Sequence, residues 1–366
     1  MACVAVSVLV LTETVSPRVA PRMPLETNTV ENTIRESPVT VLCSAGVDVS
    51  RKVIIDADPG IGDALALAVA LRDPELDVLG VTAVPGCVNG QVATQNLLSI
   101  IEVCDPAKRP RLGTSSAPRP VFTLAGEYPP GFLDPLRLNG DYGLGESEVP
   151  FIEMHRPHES ARVLVDLVRN NPHQITLLTL GPLTNVAVAC EIAPDFLELL
   201  QRLVVLGGAV QCGGDVTAAA EFNVYADPVS ASGVLLSSLT RTLIPLDIAN
   251  KVSLSYDQFD RLKQTRPFDM KWFFDELLPF ALRTHHEELG LEGLPLREVA
   301  ALAAVAQPRL FESRPMGLAV ETAGNLTRGA TIFDQRRIPR WQTNIDVVDA
   351  VDGQGVLDYV ARVLSH

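Results

Sequence analysis

The chain has 366 residues, of which 47% are hydrophobic and 20% are charged, a composition typical of a globular protein with a sizeable core. The net charge of -14 at pH 7 makes a nucleic-acid backbone an unfavourable partner. The six cysteines form no Cys-x-x-Cys pair, a pattern that indicates neither a zinc site nor a disulfide framework and favours a reducing compartment such as the cytoplasm.

Residues 1–50 are rich in Thr, Ser, Pro and Glu and show little periodicity. They predict a poorly ordered N-terminal extension, followed by a folded domain over residues 51–366. A translation start at Met23 or later explains the extension equally well. Residues 4–11 are apolar enough for a short secretory segment, but no Lys or Arg precedes them, so export is the minor alternative to a cytoplasmic location. No run approaches the ~18 apolar residues of a membrane span.

Three aspartates follow the first strong strand signal of the chain. Residues 53–55 form an apolar run typical of a buried parallel strand, and helical apolar spacing begins at Ala64. Asp56, Asp58 and Asp63 lie between the two, around a Pro-Gly turn. Strand carboxyl ends bind ligands in open α/β sheets, so the three carboxylates predict a hard cation held by oxygen atoms. The alternative is that they only cap the turn and the helix.

Strand-like runs then alternate with helical segments. Strands are predicted at residues 76–84, 109–113, 175–180, 203–206 and 242–246, and helices at 89–103, 161–169, 256–263, 270–288 and 356–364. This alternation predicts βαβ units, and hence an α/β fold with one doubly wound, mainly parallel sheet flanked by helices. Residues 115–160, rich in Pro and Gly, predict a long irregular segment over the mouth of the site.

Residues 56–64, Asp-Ala-Asp-Pro-Gly-Ile-Gly-Asp-Ala, resemble the opening signature of the nucleoside hydrolase family, the metal-dependent, inosine-uridine preferring N-ribohydrolases. Residues 181–187, Gly-Pro-Leu-Thr-Asn-Val-Ala, and residues 220–223, Ala-Glu-Phe-Asn, are similar to two further family blocks. The resemblance runs from about Val53 to the C-terminus. It implies hydrolysis of the N-glycosidic bond of a nucleoside or related N-riboside, giving ribose and free base.

The resemblance also implies a cofactor and its ligands. One Ca²⁺ ion would be held by Asp58, Asp63, the backbone carbonyl of Leu180 and Glu298, which are all oxygen donors. Asp58 would serve in addition as the catalytic base that takes a proton from the attacking water. Glu298 stands where the family has an aspartate.

Substrate contacts follow from the same resemblance. Glu221 and Asn223 would hydrogen-bond the ribose hydroxyls, and Phe222 would pack beside the ring. Asp215 and Cys87 stand where the family has sugar-contacting asparagines. On the leaving-group side the resemblance implies the residues Asn139, His285, His286 and Arg297.

Five residues depart from the family pattern at sugar or base contacts: Gly62, Cys87, Asn139, Asp215 and Arg297. Together they predict a changed substrate or weak turnover. We expect Gly62 to remove one acceptor and to open a space the size of a carboxylate, so that Gly62→Asp improves activity.

Two alternatives remain open at this point. The first is a divergent metal- and sugar-binding protein with little or no turnover. The second is a metal-dependent phosphohydrolase, because an Asp-x-Asp sequence after a strand also suits phosphoryl transfer. The partner in either case is a small molecule, and the resemblance further implies a homo-oligomer, either a dimer or a tetramer.

Overall fold

The computed structural model describes residues 50–147, 152, 157–237 and 241–365. The predicted N-terminal extension lies outside the described residues apart from Ser50, and its poor order stays a prediction. Of residues 115–160, the described part contains one short helix and is otherwise largely irregular, with two isolated β-bridges.

The described residues form the following strands: β1 Arg51–Ala57, β2 Leu76–Ala83, β3 Arg111–Gly113, β4 Ile175–Thr179, β5 Arg202–Leu206, β6 Arg241–Ile244, β7 Ser253–Ser255, β8 Gly293–Pro295, β9 Phe311–Met316, β10 Leu318–Val320, β11 Thr331–Phe333 and β12 Ile345–Val351. The α-helices are α1 Ile61–Arg72, α2 Gly90–Cys104, α3 Leu136–Asn139, α4 Ser160–Asn170, α5 Thr184–Ile192, α6 Phe222–Ala226, α7 Pro228–Leu235, α8 Leu246–Ala249, α9 Tyr256–Thr265, α10 Leu278–Leu289, α11 Arg297–Ala306 and α12 Gly353–Leu364.

A central sheet organises these elements. Within the described residues it has eight strands in the order β3-β2-β1-β4-β5-β6-β12-β9. All neighbouring pairs are parallel except β9 and β12, which are antiparallel. The predicted α/β fold with a doubly wound, mainly parallel sheet is therefore confirmed. Strand β1 lies in the interior of the sheet, which explains why residues 53–55 read as a continuous apolar run rather than an alternating one.

Helices cover both faces of the sheet. Helices α1, α2, α8, α11 and α12 contribute to one apolar cluster, while α4, α5 and α7 contribute to another. Helix α11 is buried from Val299 to Ala306, and its Ala-rich sequence suits a helix surrounded by other elements. No helix among the described residues combines the length and apolar character that crossing a membrane requires.

The chain reverses its direction of winding beside β1. Strands β2 and β3 are added on one side of β1, and β4, β5 and β6 on the other. Adjacent loops at the carboxyl ends of β1 and β4 therefore leave in opposite directions and open a crevice, the usual ligand site of such sheets.

Candidate active site

The crevice begins where β1 and β4 end. The backbone N–H of Leu180, just after β4, donates a hydrogen bond of 2.8 Å to the carbonyl of Asp56 on β1. Asp58 follows β1 directly and is buried, with 4% of its surface exposed. The sheet thus brings Asp58 and Leu180, two members of the predicted ligand set, to neighbouring strand ends.

Asp58 lies between two glycines. A Cβ on Gly86 would stand 2.1 Å from Asp58 Oδ2, and one on Gly181 would stand 2.6 Å from Asp58 Oδ1. Only glycine lets both backbones approach the carboxylate so closely. Asp58 Oδ2 also accepts a hydrogen bond of 2.7 Å from the backbone N–H of Cys87. Burial, followed by the charge of Asp63, raises the pKa of Asp58 well above its usual value.

Only one of the two carboxylate oxygens of Asp63 accepts a hydrogen bond from a described residue. Its Oδ2 accepts a hydrogen bond of 3.0 Å from the backbone N–H of Gly60, which helps to cap α1. Its Oδ1 is buried and accepts no hydrogen bond from any described residue. Burial, followed by the charge of Glu298, raises the pKa of Asp63 to about 8. An unsatisfied buried carboxylate oxygen is costly, and a cation is one partner that would satisfy it.

Glu298 reaches the same place from α11. A Cβ on Gly62 would lie 2.0 Å from Glu298 Oε2 and 2.5 Å from its Cδ. The expectation that Gly62 leaves an open space is therefore wrong, because the carboxylate of Glu298 fills that space. The pKa of Glu298 is raised, mainly by burial. Simple replacement of Gly62 by Asp would force two acidic groups into one volume.

The chemistry of these groups fits an oxygen-coordinated divalent cation. Asp58, Asp63, Glu298 and the Leu180 carbonyl offer only hard oxygen donors, and Asp63 Oδ1 has no partner among the described residues. In the part of the chain that the structure describes, no three Asp, Glu, His or Cys side chains stand close enough to form a finished metal centre. Repulsion among the like charges opposes a closer approach of the carboxylates, as their raised pKa values indicate.

The predicted sugar-binding block is held by its own backbone contacts. Glu221 caps the N-terminus of α6 and accepts hydrogen bonds from the N–H groups of Gly208, Asn223 and Val224. Burial, followed by the charge of Asp215, raises the pKa of Glu221 to about 8. The Asn223 amide donates 2.7 and 3.1 Å bonds to the carbonyls of Leu180 and Leu206. Asn223 thus connects α6 to the carbonyl of Leu180, which the sequence predicts as a metal ligand.

Two of the departures from the family pattern form an ion pair with each other. A guanidinium nitrogen of Arg297 bonds Asp215 Oδ2, and its Nε donates a hydrogen bond of 2.7 Å to Asn250 Oδ1. The other oxygen of Asp215 accepts a hydrogen bond from the backbone N–H of Phe222. The two departures from the family pattern thus neutralise each other's charge, a relation that the sequence does not reveal.

The leaving-group residues separate into different environments. Asn139 Oδ1 accepts a hydrogen bond of 2.9 Å from the backbone N–H of Ile61, so that α3 is anchored to the start of α1. His285 Nδ1 lies 2.8 Å from the carbonyl of Ala281. Because a carbonyl only accepts, Nδ1 carries the proton. Burial is the main cause that lowers the pKa of His285 to about 4, so the ring is neutral near pH 7. His286 is exposed.

A cavity of about 770 Å³ joins these groups. The predicted site residues that line it are Asp58, Cys87, Asn139, Asp215, Glu221, Phe222, Asn223, His285, Arg297 and Glu298. Asp63, Leu180 and His286 are not among its lining residues, although the first two lie directly behind the inner wall. Cys87 is buried, and burial raises the pKa of its thiol.

A hydrogen-bond network around Asp56 was not predicted from the sequence. Asp56 Oδ1 accepts hydrogen bonds from the hydroxyl of Thr82 and the amide of Asn185, which also donates to the carbonyl of Ala83. Burial raises the pKa of Asp56 to about 7. Asn185 follows the Gly-Pro-Leu-Thr block and reads locally as a helix cap, so its sequence context gave no signal for this contact.

A cavity of ligand size, lined by carboxylates at the switch point of a parallel sheet, defines an α/β protein that binds a small molecule at its strand ends. The family model described as inosine-uridine preferring nucleoside hydrolase matches residues 53–358. The chain belongs to this family and is a hydrolase of the N-glycosidic bond of nucleosides. Membership favours this activity over the phosphohydrolase and the non-catalytic alternatives. The family is metal-dependent.

Relatives and solved structures agree with this assignment. Uridine nucleosidase 1 of Arabidopsis thaliana is 34% identical over 323 residues, which cover 86% of this chain and 93% of the relative. A solved plant nucleoside hydrolase has a TM-score of 0.75 at 28% identity, over 86% of this chain and 99% of that one. A solved purine-preferring ribonucleoside hydrolase from Gardnerella vaginalis has a TM-score of 0.74 at 26% identity, over 86% of this chain and 98% of that one.

Proposed function

We propose that the chain is a calcium-dependent ribonucleoside hydrolase that accepts uridine, with Asp58 as the catalytic base. The observation that carries the proposal is the position of Asp58, which is buried between Gly86 and Gly181 and still lines the cavity. A side chain so tightly enclosed keeps one orientation, and a fixed orientation is what proton transfer at a defined atom needs.

In this proposal the ribose and the base bind in different parts of the cavity. At the inner end, Glu221 and Asn223 bind the ribose hydroxyls. The C1′–N bond breaks with its electron pair going to the base nitrogen, and the sugar acquires oxocarbenium character. Water then adds to C1′ as Asp58 takes its proton, the departing base nitrogen takes a proton from solvent, and Asp58 releases its proton to solvent to complete the cycle. Neutral His285, with Nδ1 bonded to Ala281, is left with Nε2 as an acceptor and suits hydrogen bonding to the base better than protonating it.

Asp58, Asp63, the Leu180 carbonyl and Glu298 would hold the cation. When bound, calcium would lower the pKa of these carboxylates, offset their mutual repulsion and orient the sugar diol. The unsatisfied Oδ1 of Asp63 supports this assignment.

Uridine is the first substrate to test because the 34%-identical relative is named a uridine nucleosidase. Inosine is the second, because a structural neighbour is described as purine-preferring. The direct assay measures free ribose released from uridine, cytidine, inosine and adenosine, with and without calcium after treatment with a chelator. Ribose release from uridine that depends on calcium supports the proposal, and release unaffected by chelation contradicts its metal component.

The assembly and location remain the expectations drawn from the sequence. We propose a homo-oligomer in the cytoplasm, with residues 51–366 as its folded domain. Among the described residues, Cys87, Cys104, Cys190 and Cys212 form no disulfide. Light scattering of the purified full chain distinguishes a dimer or tetramer from a monomer.

A further inference from the structure

Helices α1 and α11 approach each other closely at Gly62 and Glu298, where a glycine backbone lies against a carboxylate. Gly62 lies in the first turn of α1, Glu298 lies in the first turn of α11, and both line the cavity. A Cβ on Gly62 would meet three atoms of the Glu298 carboxylate, at 2.0 Å from Oε2, 2.5 Å from Cδ and 3.0 Å from Oε1. Real Cβ atoms do not approach other atoms so closely, so any side chain at position 62 displaces this carboxylate.

The position of that carboxylate has an electrostatic consequence. The Glu298 carboxylate lies against Gly62, and its charge acts on Asp63. Asp63 follows Gly62 in the sequence and holds the buried, unsatisfied Oδ1. Like charges on these two acids repel each other, and a bound cation would offset that repulsion.

We propose that Gly62 is the positioning residue for Glu298. The missing side chain lets the longer acid of α11 lie against α1, and the glutamate thereby occupies the volume that a side chain at position 62 would take. This inference rests on the proposed function, in which Glu298 is a cation ligand. It predicts that positions 62 and 298 are coupled: a side chain at position 62 requires a shorter acid at position 298.

The experiment measures calcium binding by isothermal titration calorimetry on the full chain, so that its readout is independent of catalysis. The variants are Gly62→Ala, Glu298→Asp and the two combined. Gly233→Ala is the matched control, because Gly233 is also helical and a Cβ there has nothing within 4 Å. Both replacements add one methyl group to a helical glycine, so the control separates the contact with Glu298 from the general effect of replacing a helical glycine by alanine.

We expect Gly62→Ala to weaken calcium binding by about 10–100-fold, the usual effect of disturbing the support of a metal ligand. Gly233→Ala should bind as the parent does. In the Glu298→Asp background, whose carboxylate is drawn back by one methylene, adding Gly62→Ala should change the affinity by less than about threefold. This comparison serves even where the single Gly62→Ala variant does not fold.

The outcomes separate the inference from the proposed function. A parent that binds no calcium overturns the proposed cation site and this inference with it. A parent that binds calcium, with Gly62→Ala binding equally well, overturns the inference alone, because the glutamate then moves aside freely. Equal losses from Gly62→Ala in the parent and in the Glu298→Asp background also overturn it, since the effect of the added methyl group would not pass through the glutamate.

Discussion

The two ends of the cavity are built by different means. The inner end is lined by carboxylates that the backbone positions, namely Asp58 between Gly86 and Gly181 and Glu221 at the N-terminus of α6, and Asp63 in the first turn of α1 lies behind this wall. The rest of the lining, which we call the outer end, includes many apolar side chains from separate segments, among them Leu133, Pro135, Leu138, Leu278, Ala281, Leu289 and Leu291.

This difference determines how well each end of the cavity tolerates amino-acid substitutions. At the inner end, glycines and backbone N–H groups surround each carboxylate, so a single added carbon atom or a lost charge disturbs several contacts. At the outer end the walls are non-directional apolar surface, which adapts to another side chain of similar size. We therefore expect the chemical step to depend on the inner end and the choice of base to depend on the outer end.

The largest effect is expected from Asp58→Asn. The amide keeps the size of the side chain and one oxygen for the Cys87 N–H, but it cannot take a proton from water. We expect kcat for uridine to fall about 10²–10⁴-fold, the usual contribution of a general base. Steady-state ribose release measures it. A kcat within about threefold of the parent would show that Asp58 is not the base.

Asn223→Ala should have the next largest effect, on stability. The substitution leaves the buried carbonyls of Leu180 and Leu206 without their amide donor, which costs about 1–3 kcal/mol in the free energy of unfolding. Urea denaturation gives this quantity. Gln354→Ala, which removes an exposed hydrogen bond to Asp358, is the control and should change stability by less than about 0.5 kcal/mol. Equal values for both variants would contradict the tie between α6 and β4.

The positions of Asp58 and Asp63 beside a strand end were predictable from the sequence, because both follow β1 within a few residues. The block of Glu221 does not directly follow a strand, so only its resemblance to the family block indicated that it belongs to the site. The contacts between blocks were not predictable. Asn139 bonds the Ile61 N–H across a separation of 78 residues, and nothing local to either residue signals it.

The departures from the family pattern show the same limit. Read singly, Asp215 and Arg297 each suggest a damaged site, yet the two side chains pair with each other. Gly62 suggests a missing carboxylate, yet the acid of Glu298 lies against it. Pair relations of this kind depend on which elements the sheet brings together. A single sequence records the members of a pair without recording that they touch.

His285 offers a smaller, pH-dependent test at the boundary between the two ends. Its pKa is lowered to about 4 by burial and further by the charge of Arg297, against the favourable bond to the Ala281 carbonyl. An unfolded histidine has a pKa of about 6.5, so between about pH 6.5 and pH 4 the unfolded chain binds a proton that the native chain does not. Stability contributed by neutral His285 is therefore present above pH 6.5 and lost as the pH falls.

The variant that tests this linkage is His285→Gln. Between pH 7 and pH 5 the parent should lose about 1–2 kcal/mol more unfolding free energy than the variant does. Urea denaturation at both pH values measures the difference. His286→Gln makes the same change on the exposed neighbouring residue and is the control. Identical pH dependence in the parent and His285→Gln would mean that the imidazole is as freely protonated in the native state as in the unfolded chain.

The smallest effect is expected at the outer end, from Leu138→Ala. The Leu138 carbonyl accepts a hydrogen bond of 3.1 Å from the Thr284 hydroxyl, and this backbone contact, which joins α3 to α10, is untouched by the substitution. Only half-buried apolar surface is lost, worth about 1 kcal/mol, or roughly fivefold in binding. Contact with the base is made equally in the ground and transition states, so KM should rise while kcat stays within about twofold.

Leu326→Ala, at a side chain that is 72% exposed, is the control and should alter neither constant. The kinetic constants for uridine and inosine, measured side by side, decide how the result is read. A larger change for one nucleoside than for the other indicates that the outer wall selects the base. A fall in kcat with KM unchanged would instead show that Leu138 acts only in the transition state. The division between a catalytic inner end and a selective outer end would then fail, because chemistry would depend on the apolar wall as well.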